Sequence, residues 1–338
     1  MFLKELTELS GVSGCEFEVR NYIKQKLKEI ECEYRIDKIG NVIAHNKGKK
    51  NKTIMLAAHM DEVGLIVTHI DRSGFIKFQA VGGLDERVLN SKIVEIGDKK
   101  ITGVIGSKAV HLMSVEEKGK PVPIDKLYID IGSNSKEETE KIVTIGDYVS
   151  FKSSYVEFGN DMIKAKALDD RVGVSTLLQI LSLKLDLDFY AVFTVMEEVG
   201  LRGAITASSQ IEPHLGIVIE GTVCVDMPDI EDHFKGTVIG KGAALSLMDN
   251  STIYDIDLVR KVADIAEKYN IKYQYKNATS GGNDAGKIHT SKKGAKVVAI
   301  SVPCKYIHSP VSVMNKNDYN SVVDLTASVL KEISNQNI

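Results

Sequence analysis

Runs of apolar residues that end directly in histidine or carboxylate side chains are the feature that most limits how this chain can fold. Such runs, or the start of a helical pattern, deliver these residues at five places: His59 with Asp61 and Glu62, Asp169 with Asp170, Glu197 with Glu198, Glu220, and His308. Short apolar runs are typical of buried strands in parallel sheets, and ligands of an open α/β sheet bind beyond the carboxyl ends of its strands. We therefore predict that two imidazoles and at least four carboxylates meet at one sheet edge.

Positive charge is needed wherever so many acids meet, because neighbouring carboxylates cannot all stay ionised without it. The obvious protein cations are Arg171 and Arg202, and two are too few. A pair of divalent cations would supply the missing charge. Histidine together with carboxylates suits zinc, cobalt or manganese, and it suits copper or iron–sulfur chemistry poorly. The pattern thus predicts a dinuclear metal centre opposite Glu197 and Glu198.

Each of these residues also has an ordinary structural explanation. Glu197–Glu198 could be a solvated helix start, and Asp169–Asp170 could be the N-cap and first-turn acids of a helix. A single histidine such as His59 or His308 is usually a core or surface residue. Only the convergence of all these residues favours a metal site, and spacing along the chain does not prove convergence.

Alternating helix and strand patterns predict the fold class. Apolar residues recur at helical spacing in four segments, 19–30, 174–181, 258–269 and 322–333. The main apolar strand patterns are NKTIMLAAH, DFYAVFTVM, HLGIVIE and AKVVAISV. We predict an α/β fold, in which a mainly parallel sheet is flanked by helices on both faces.

The pattern changes between residues 67 and 162. Short strand-like runs such as GFIKFQAVGG and KIVEIGDKKITGVIG alternate there with Gly and Asp, and long helical periods are few. This region is predicted to be a small, β-barrel-like inserted domain. It would interrupt an α/β domain made of residues 1–66 and 163–338.

Composition argues against several functional classes. The formal net charge is −3, so nothing favours nucleic acid or an anionic membrane as a partner. No apolar run approaches the ~18 residues that a membrane span needs. The four cysteines lie far apart without a CxxC pair, which argues against a zinc ribbon or a disulfide scaffold. We expect a cytoplasmic globular protein.

Ten segments carry a resemblance to a known family, and they occur in the family's order over nearly the whole chain. They are GVSGCEFEVR, AAHMDEVG, VIGSKAVHLMS, LYIDIGSNSKEE, IGDYVSF, KALDDRVG, MEEVGLRGA, EGTVCVDMPD, GGNDAGKIH and VPCKYIHSP. The ordered set resembles the tetrahedral aminopeptidases, a metallopeptidase family of glutamyl, leucyl and deblocking aminopeptidases. Some members of that family carry an endoglucanase label.

The resemblance implies a zinc-exopeptidase-type α/β domain, with an inserted β-domain that helps to build large homo-oligomers, commonly dodecameric tetrahedra. It also implies two divalent metal ions per subunit, zinc or cobalt in the first place and manganese as the third choice. By position, one ion would be held by His59 and Glu220 and the other by Glu198 and His308. Asp169 would bridge both ions.

Further roles follow from the same resemblance. Glu197 corresponds to the general base for a water that bridges the metals. Asp61 corresponds to a residue that hydrogen-bonds His59 and fixes its tautomer. A cis peptide bond is implied at Asp169–Asp170. The implied reaction is the release of N-terminal residues from short peptides.

Two departures from the family pattern leave the specificity open. Glu220 stands where many members have Asp, and Asn283 stands in GGNDA where the family has GGTDA. One alternative function is a metal-independent glycoside hydrolase, since paired carboxylates also suit that reaction. Against it, the chain has no Trp and only 6% aromatic residues. The other alternative is a non-catalytic assembly protein on the same scaffold, which would be expected to lack a ligand or the base.

Overall fold

The computed structural model describes residues 2–49, 52–231 and 234–335, so Asn51 of the first predicted strand pattern lies outside the described residues. The helices of the described ranges are α1 Phe2–Glu8, α2 Phe17–Glu29, α3 Val115–Lys118, α4 Lys136–Glu140, α5 Leu168–Ser182, α6 Arg202–Ile211, α7 Ile256–Lys268, α8 Ala285–His289 and α9 Lys316–Asn335. Short 3-10 helices lie at Glu86–Val88, Val110–Leu112 and Ile124–Lys126. Within these ranges, no helix combines the length and apolar character that crossing a membrane requires.

The strands fall into one large sheet and one barrel. They are β1 Glu33–Ile36, β2 Val42–Asn46, β3 Ile54–His59, β4 Gly64–Ile70, β5 Ile76–Val81, β6 Ile93–Ile96, β7 Ile101–Gly106, β8 Tyr128–Asp130, β9 Tyr148–Phe151, β10 Val156–Phe158, β11 Met162–Ala165, β12 Phe189–Thr194, β13 Leu215–Val223, β14 Ala243–Ser246, β15 Tyr273–Lys276, β16 Lys296–Lys305 and β17 Ser312–Asn315.

The large sheet has eleven strands, and its main path runs β1-β2-β12-β3-β13-β16-β17-β11-β10. Its four central strands, β12, β3, β13 and β16, are parallel. The strands that flank this centre are joined to it by antiparallel pairing. Short links connect β1 to β2 and β10 to β11, and only antiparallel strands can be joined by such hairpins. The α/β prediction is therefore confirmed, with the parallel arrangement concentrated in the centre of the sheet.

Helices cover the sheet through the apolar faces that the sequence indicates. α2 buries Val19, Ile23 and Leu27, and α5 is buried along nearly its whole length beside the central strands. In α7 Val262 and Ala266 of the predicted segment 258–269 are buried, whereas Tyr269, its last residue, is exposed beyond the helix end. These helices and the sheet share one continuous apolar core.

A closed barrel of six antiparallel strands, ordered β4-β5-β8-β7-β6-β9, lies between β3 and β10 in the chain. Its buried side chains form a second apolar core, to which β6 contributes Val94 and Ile96 on alternate positions. The barrel strands extend from Gly64 to Phe151, and β10 already pairs within the large sheet. The division of the chain into domains at 66/67 and 162/163 stays a prediction.

Candidate metal centre

The carboxyl ends of the four parallel strands lie at one edge of the sheet, and residues named from the sequence lie at that edge. His59 is the last residue of β3, and Glu220 lies in the carboxyl half of β13. Glu197 and Glu198 follow the end of β12, and His308 follows the end of β16. The strand order therefore brings together residues that are far apart in the sequence.

Asp169 lies between the two imidazoles. Its Oδ1 is 3.1 Å from Nε2 of His59, and its Oδ2 is 3.7 Å from Nε2 of His308. Asp169 has non-helical backbone angles at the start of α5, and its peptide bond to Asp170 is cis, as the resemblance implies. Gly221 makes this approach to β13 feasible, because a Cβ there would lie 3.0 Å from the Asp169 Cα.

Each imidazole has a second carboxylate beside it. Nε2 of His59 is 3.3 Å from Oε1 of Glu220, and Nε2 of His308 is 3.3 Å from Oε2 of Glu198. Glu197 is further away, with its Oε2 3.9 Å from Nε2 of His59. The ring nitrogens and carboxylates thus form two neighbouring groups that share Asp169.

Asp61 is fully buried and holds the backbone of Glu197 and Glu198 and the ring of His59 in place. Its Oδ1 accepts the backbone N–H of Glu197 at 3.0 Å, and its Oδ2 accepts that of Glu198 at 3.1 Å and the Ser13 hydroxyl at 2.6 Å. The backbone oxygen of Asp61 lies 3.1 Å from Nδ1 of His59, and its Oδ1 lies 3.4 Å from the same atom. Two acceptors at Nδ1 favour a proton on that nitrogen, which leaves the lone pair on Nε2 directed at Asp169.

The electrostatics of this arrangement call for a cation. Burial opposes a charge on His59, but the carboxylates of Glu220 and Asp169 raise its pKa well above the usual range, so without a metal its Nε2 would hold a proton that Asp169 accepts. A divalent cation bound there would take the place of that proton. Burial raises the pKa of Glu197, Glu198 and Glu220 well above the usual range of a carboxyl. Divalent cations would let these acids ionise together, and imidazole with carboxylate is a ligand set that zinc and related ions accept. The residues present therefore fit a metal.

Neither of the two arginines considered as counter-charges contacts the carboxylates of the candidate centre, although Arg171 reaches Glu62. Arg171 is fully buried and donates to the backbone carbonyls of Leu6 and Met60 and to the Glu62 carboxylate. Arg202 is exposed and donates to a backbone carbonyl. Arg171 instead ties α1, the β3–β4 link and α5 together behind the site.

Asp170 and Glu16 are buried acids near the centre to which the sequence patterns gave no binding role. Asp170 accepts the backbone N–H groups of His59 and Gly173, so both its oxygens position the backbone. Glu16 accepts the N–H groups of Gly14 and Met196. The GVSGCEFEVR motif contains Glu16, but nothing in its spacing separates a buried acid from an exposed one.

A cavity of about 310 Å³ opens in front of these residues. The loop 280–283 lines one side, and it includes Asn283, whose side chain is hydrogen-bonded to Tyr254. Lys276, the last residue of β15, also lines the cavity. No sequence pattern singles out this lysine, because YKNATS looks like the polar end of an edge strand.

The barrel reaches the same site through the loop after β5. A Cβ on Gly82 would lie 3.3 Å from the Glu198 Cβ, and a Cβ on Gly83 would lie 3.4 Å from Nδ1 of His308. The two structural units therefore meet at the His308 half of the centre.

Comparison with known proteins identifies a family for the chain. The family model for M42 glutamyl aminopeptidases matches residues 40–325. The chain belongs to this family. It is accordingly a metal-dependent aminopeptidase, as the resemblance predicts, and the family match does not support the glycoside hydrolase or the non-catalytic alternative.

Similarity to individual members extends over almost the whole chain. A lysyl aminopeptidase from Pyrococcus furiosus is 32% identical over 345 residues, which cover 98% of this chain and 96% of that protein. An aminopeptidase structure from Desulfurococcus kamchatkensis has 36% identity and a TM-score of 0.93, with 98% and 93% of the two chains covered. The TET1 peptidase of Pyrococcus horikoshii, which assembles into a tetrahedron or a large octahedral shell, has 35% identity, a TM-score of 0.86 and coverage of 97% and 98%.

Proposed function

We propose that this M42 family member is a dinuclear-metal enzyme that releases N-terminal residues from short peptides. The observation that carries the proposal is the position of Asp169, whose two oxygens face two different imidazoles. A carboxylate in that position suits a ligand that bridges two ions.

The remaining ligands divide between the two ions. His59 and Glu220 would hold one, and Glu198 and His308 would hold the other. Zinc or cobalt is the first choice for this ligand set and manganese is the alternative. Glu220 has the same terminal carboxylate as the aspartate found in many relatives, and it lies close enough to His59 to serve.

Glu197 is the proposed general base. Bound divalent ions would lower the pKa of a coordinated water and polarise the substrate carbonyl. The Glu197 carboxylate lies beside the ligand groups without belonging to them, and Asp61 fixes its backbone. In this proposal, the Glu197 carboxylate takes a proton from the attacking water and passes that proton to the leaving amine. A free α-amine would bind beside one of the ions and one of its carboxylate ligands, which would restrict cleavage to the N-terminus.

Metal analysis combined with two variants tests this division of roles. Glu197→Gln should keep both metals and lower kcat ~10²–10⁴-fold, the usual contribution of a general base. Glu198→Gln should lose metal, because it removes a ligand charge. Equal metal loss in both variants, or a Glu197→Gln enzyme with most of its activity, would contradict the assignment.

We also propose that the chain forms a homo-oligomer through its barrel, with a dodecamer as the expected form. The assembly of the similar TET1 peptidase supports this. So does a group of exposed apolar side chains on the β7–β8 connection, namely Val110, Leu112 and Val115. Residues 67–162 would then serve as the assembly domain.

A further inference from the structure

Lys276 is a buried cation whose charge the proposed mechanism does not use. Its side chain is only 8% exposed and lines the cavity that also holds His59 and Glu220. Among the described residues, no hydrogen-bond or ion-pair partner is found for its ammonium group. Its nitrogen is not enclosed by protein, so it is reached from the cavity, and an anion bound there would give this largely buried charge a partner.

The acids nearest to Lys276 are already engaged. Asp249, Glu220 and Asp169 oppose the lowering of the Lys276 pKa by burial, but none of them forms an ion pair with it. The Asp249 carboxylate accepts the backbone N–H and hydroxyl of Ser251 and the Tyr254 hydroxyl. Glu220 and Asp169 lie against His59. The missing anion therefore has to come from the cavity.

The charged side chains that line the cavity are four carboxylates and one lysine, besides the two histidines. Its described lining contains four carboxylates, and each of them has a role under the proposed function: Asp169, Glu197, Glu198 and Glu220. Lys276 is the only lysine or arginine in that lining. The one unassigned charge that faces a bound substrate is therefore positive.

We propose that Lys276 binds the side-chain carboxylate of the substrate's N-terminal residue, so that this enzyme prefers peptides beginning with Glu or Asp. The inference rests on the proposed function. Family membership does not decide the point, since the family model is described by glutamyl aminopeptidases whereas the Pyrococcus furiosus relative is a lysyl aminopeptidase.

Two features favour the first residue over the C-terminal carboxylate of a short peptide. The cavity volume of about 310 Å³ lies at the lower end of the range for small-molecule sites, which suits one residue. Lys276 also lines the same cavity as the ligands that would face the first peptide bond. A lysine is a flexible point charge that reaches a carboxylate at the end of either a Glu or an Asp side chain.

The test compares Glu and Gln, which have nearly the same shape and differ in charge. The metal-loaded enzyme is assayed on the 4-nitroanilides of Glu, Gln and Leu, which have no C-terminal carboxylate. We expect kcat/KM for Glu to exceed that for Gln by about tenfold or more, because a hydrogen bond to an ionised acceptor is about twice as strong. Lys276→Met should bring this ratio near one, mainly through a lower kcat/KM for Glu.

Lys287→Met is the matched control, because Lys287 is exposed on α8 and does not line the cavity. This control should keep the wild-type ratio. Calorimetry adds a readout that is independent of turnover: free L-glutamate should bind the wild-type protein more tightly than L-glutamine. This measurement and the wild-type ratio need no variant, so they decide the matter even if Lys276→Met fails to fold.

A wild-type ratio of one or less would overturn the proposal and leave the proposed function standing, as would a Lys276→Met enzyme with an unchanged ratio. Metal loss from Lys276→Met at an unchanged ratio would show instead that the ammonium balances the ligand charges. Gln-Ala and Gln-Ala amide should be cleaved equally well. A preference for the free acid that depends on Lys276 would show that Lys276 binds the C-terminal carboxylate of the peptide, and it would overturn the assignment. If no aminoacyl anilide is cleaved, both proposals fail together.

Discussion

Replacing Asp61 by asparagine tests whether one buried carboxylate holds the centre together. Both oxygens are in use, since one accepts the backbone N–H of Glu197 at 3.0 Å and the other accepts that of Glu198 at 3.1 Å. An amide offers one oxygen and one NH₂ group, so either orientation points a donor at a backbone donor. Asp61→Asn must therefore lose one of these hydrogen bonds whichever way the amide turns.

The size of the effect follows from these contacts. Losing a hydrogen bond to a charged acceptor and leaving a buried N–H unpaired should lower the free energy of unfolding by about 2–4 kcal/mol. His59 also loses the negative charge 3.4 Å from its Nδ1, and changes of this kind weaken metal binding ~10–100-fold. Stability and metal affinity should thus fall together.

Thermal unfolding of the metal-free protein and metal competition against a chromophoric chelator measure the two effects. Ser13→Ala is the matched control, because it removes one donor to Asp61 and leaves the carboxylate in place. It should cost about 1 kcal/mol and change metal affinity little. The reasoning is refuted if Asp61→Asn keeps both the unfolding temperature and the metal affinity of the wild-type protein.

Further predictions concern the metal, the buried charges and the barrel surface. Chelation should abolish peptidase activity, and added zinc, cobalt or manganese should restore it; activity that survives complete metal removal, verified by elemental analysis, would contradict the centre. Arg171→Met should lower the free energy of unfolding by at least ~3 kcal/mol in denaturant titrations, because it breaks a buried ion pair with Glu62. Arg202→Met, an exposed control, should change it little, and equal effects of the two would refute the role given to Arg171. Val115→Asp, at an 83% exposed position, should reduce the particle mass in light scattering if the barrel surface mediates assembly, and an unchanged mass would exclude that surface.

Much of the fold could be predicted because the apolar patterns are strong. The strands β3, β12 and β13, which are buried along all or most of their length, are recognisable as continuous apolar runs, and α2 and α5 by residues such as Val19 and Leu177. The ends of those strands then located His59 and Glu220 at one sheet edge, since parallel strands finish on the same side. Resemblance supplied the individual roles, which the patterns alone left open.

The directions in which long side chains point could not be predicted from the sequence. Arg171 follows two acids in the sequence and looks like their counter-charge, yet its side chain faces Glu62 and backbone carbonyls. Lys276 ends a short edge strand and looks like an ordinary surface lysine, but it lines the same cavity as the loop 280–283. Which way a long side chain points depends on packing between distant segments, and no local spacing records that packing.

The loop after β5 places Gly82 and Gly83 beside Glu198 and His308. The insertion therefore contributes to the surroundings of the candidate centre, in addition to the assembly role proposed for it. An α/β half expressed without the insertion would lack this cover beside Glu198 and His308. Exchanging insertions between relatives would accordingly transplant a piece of the catalytic surface together with the quaternary architecture.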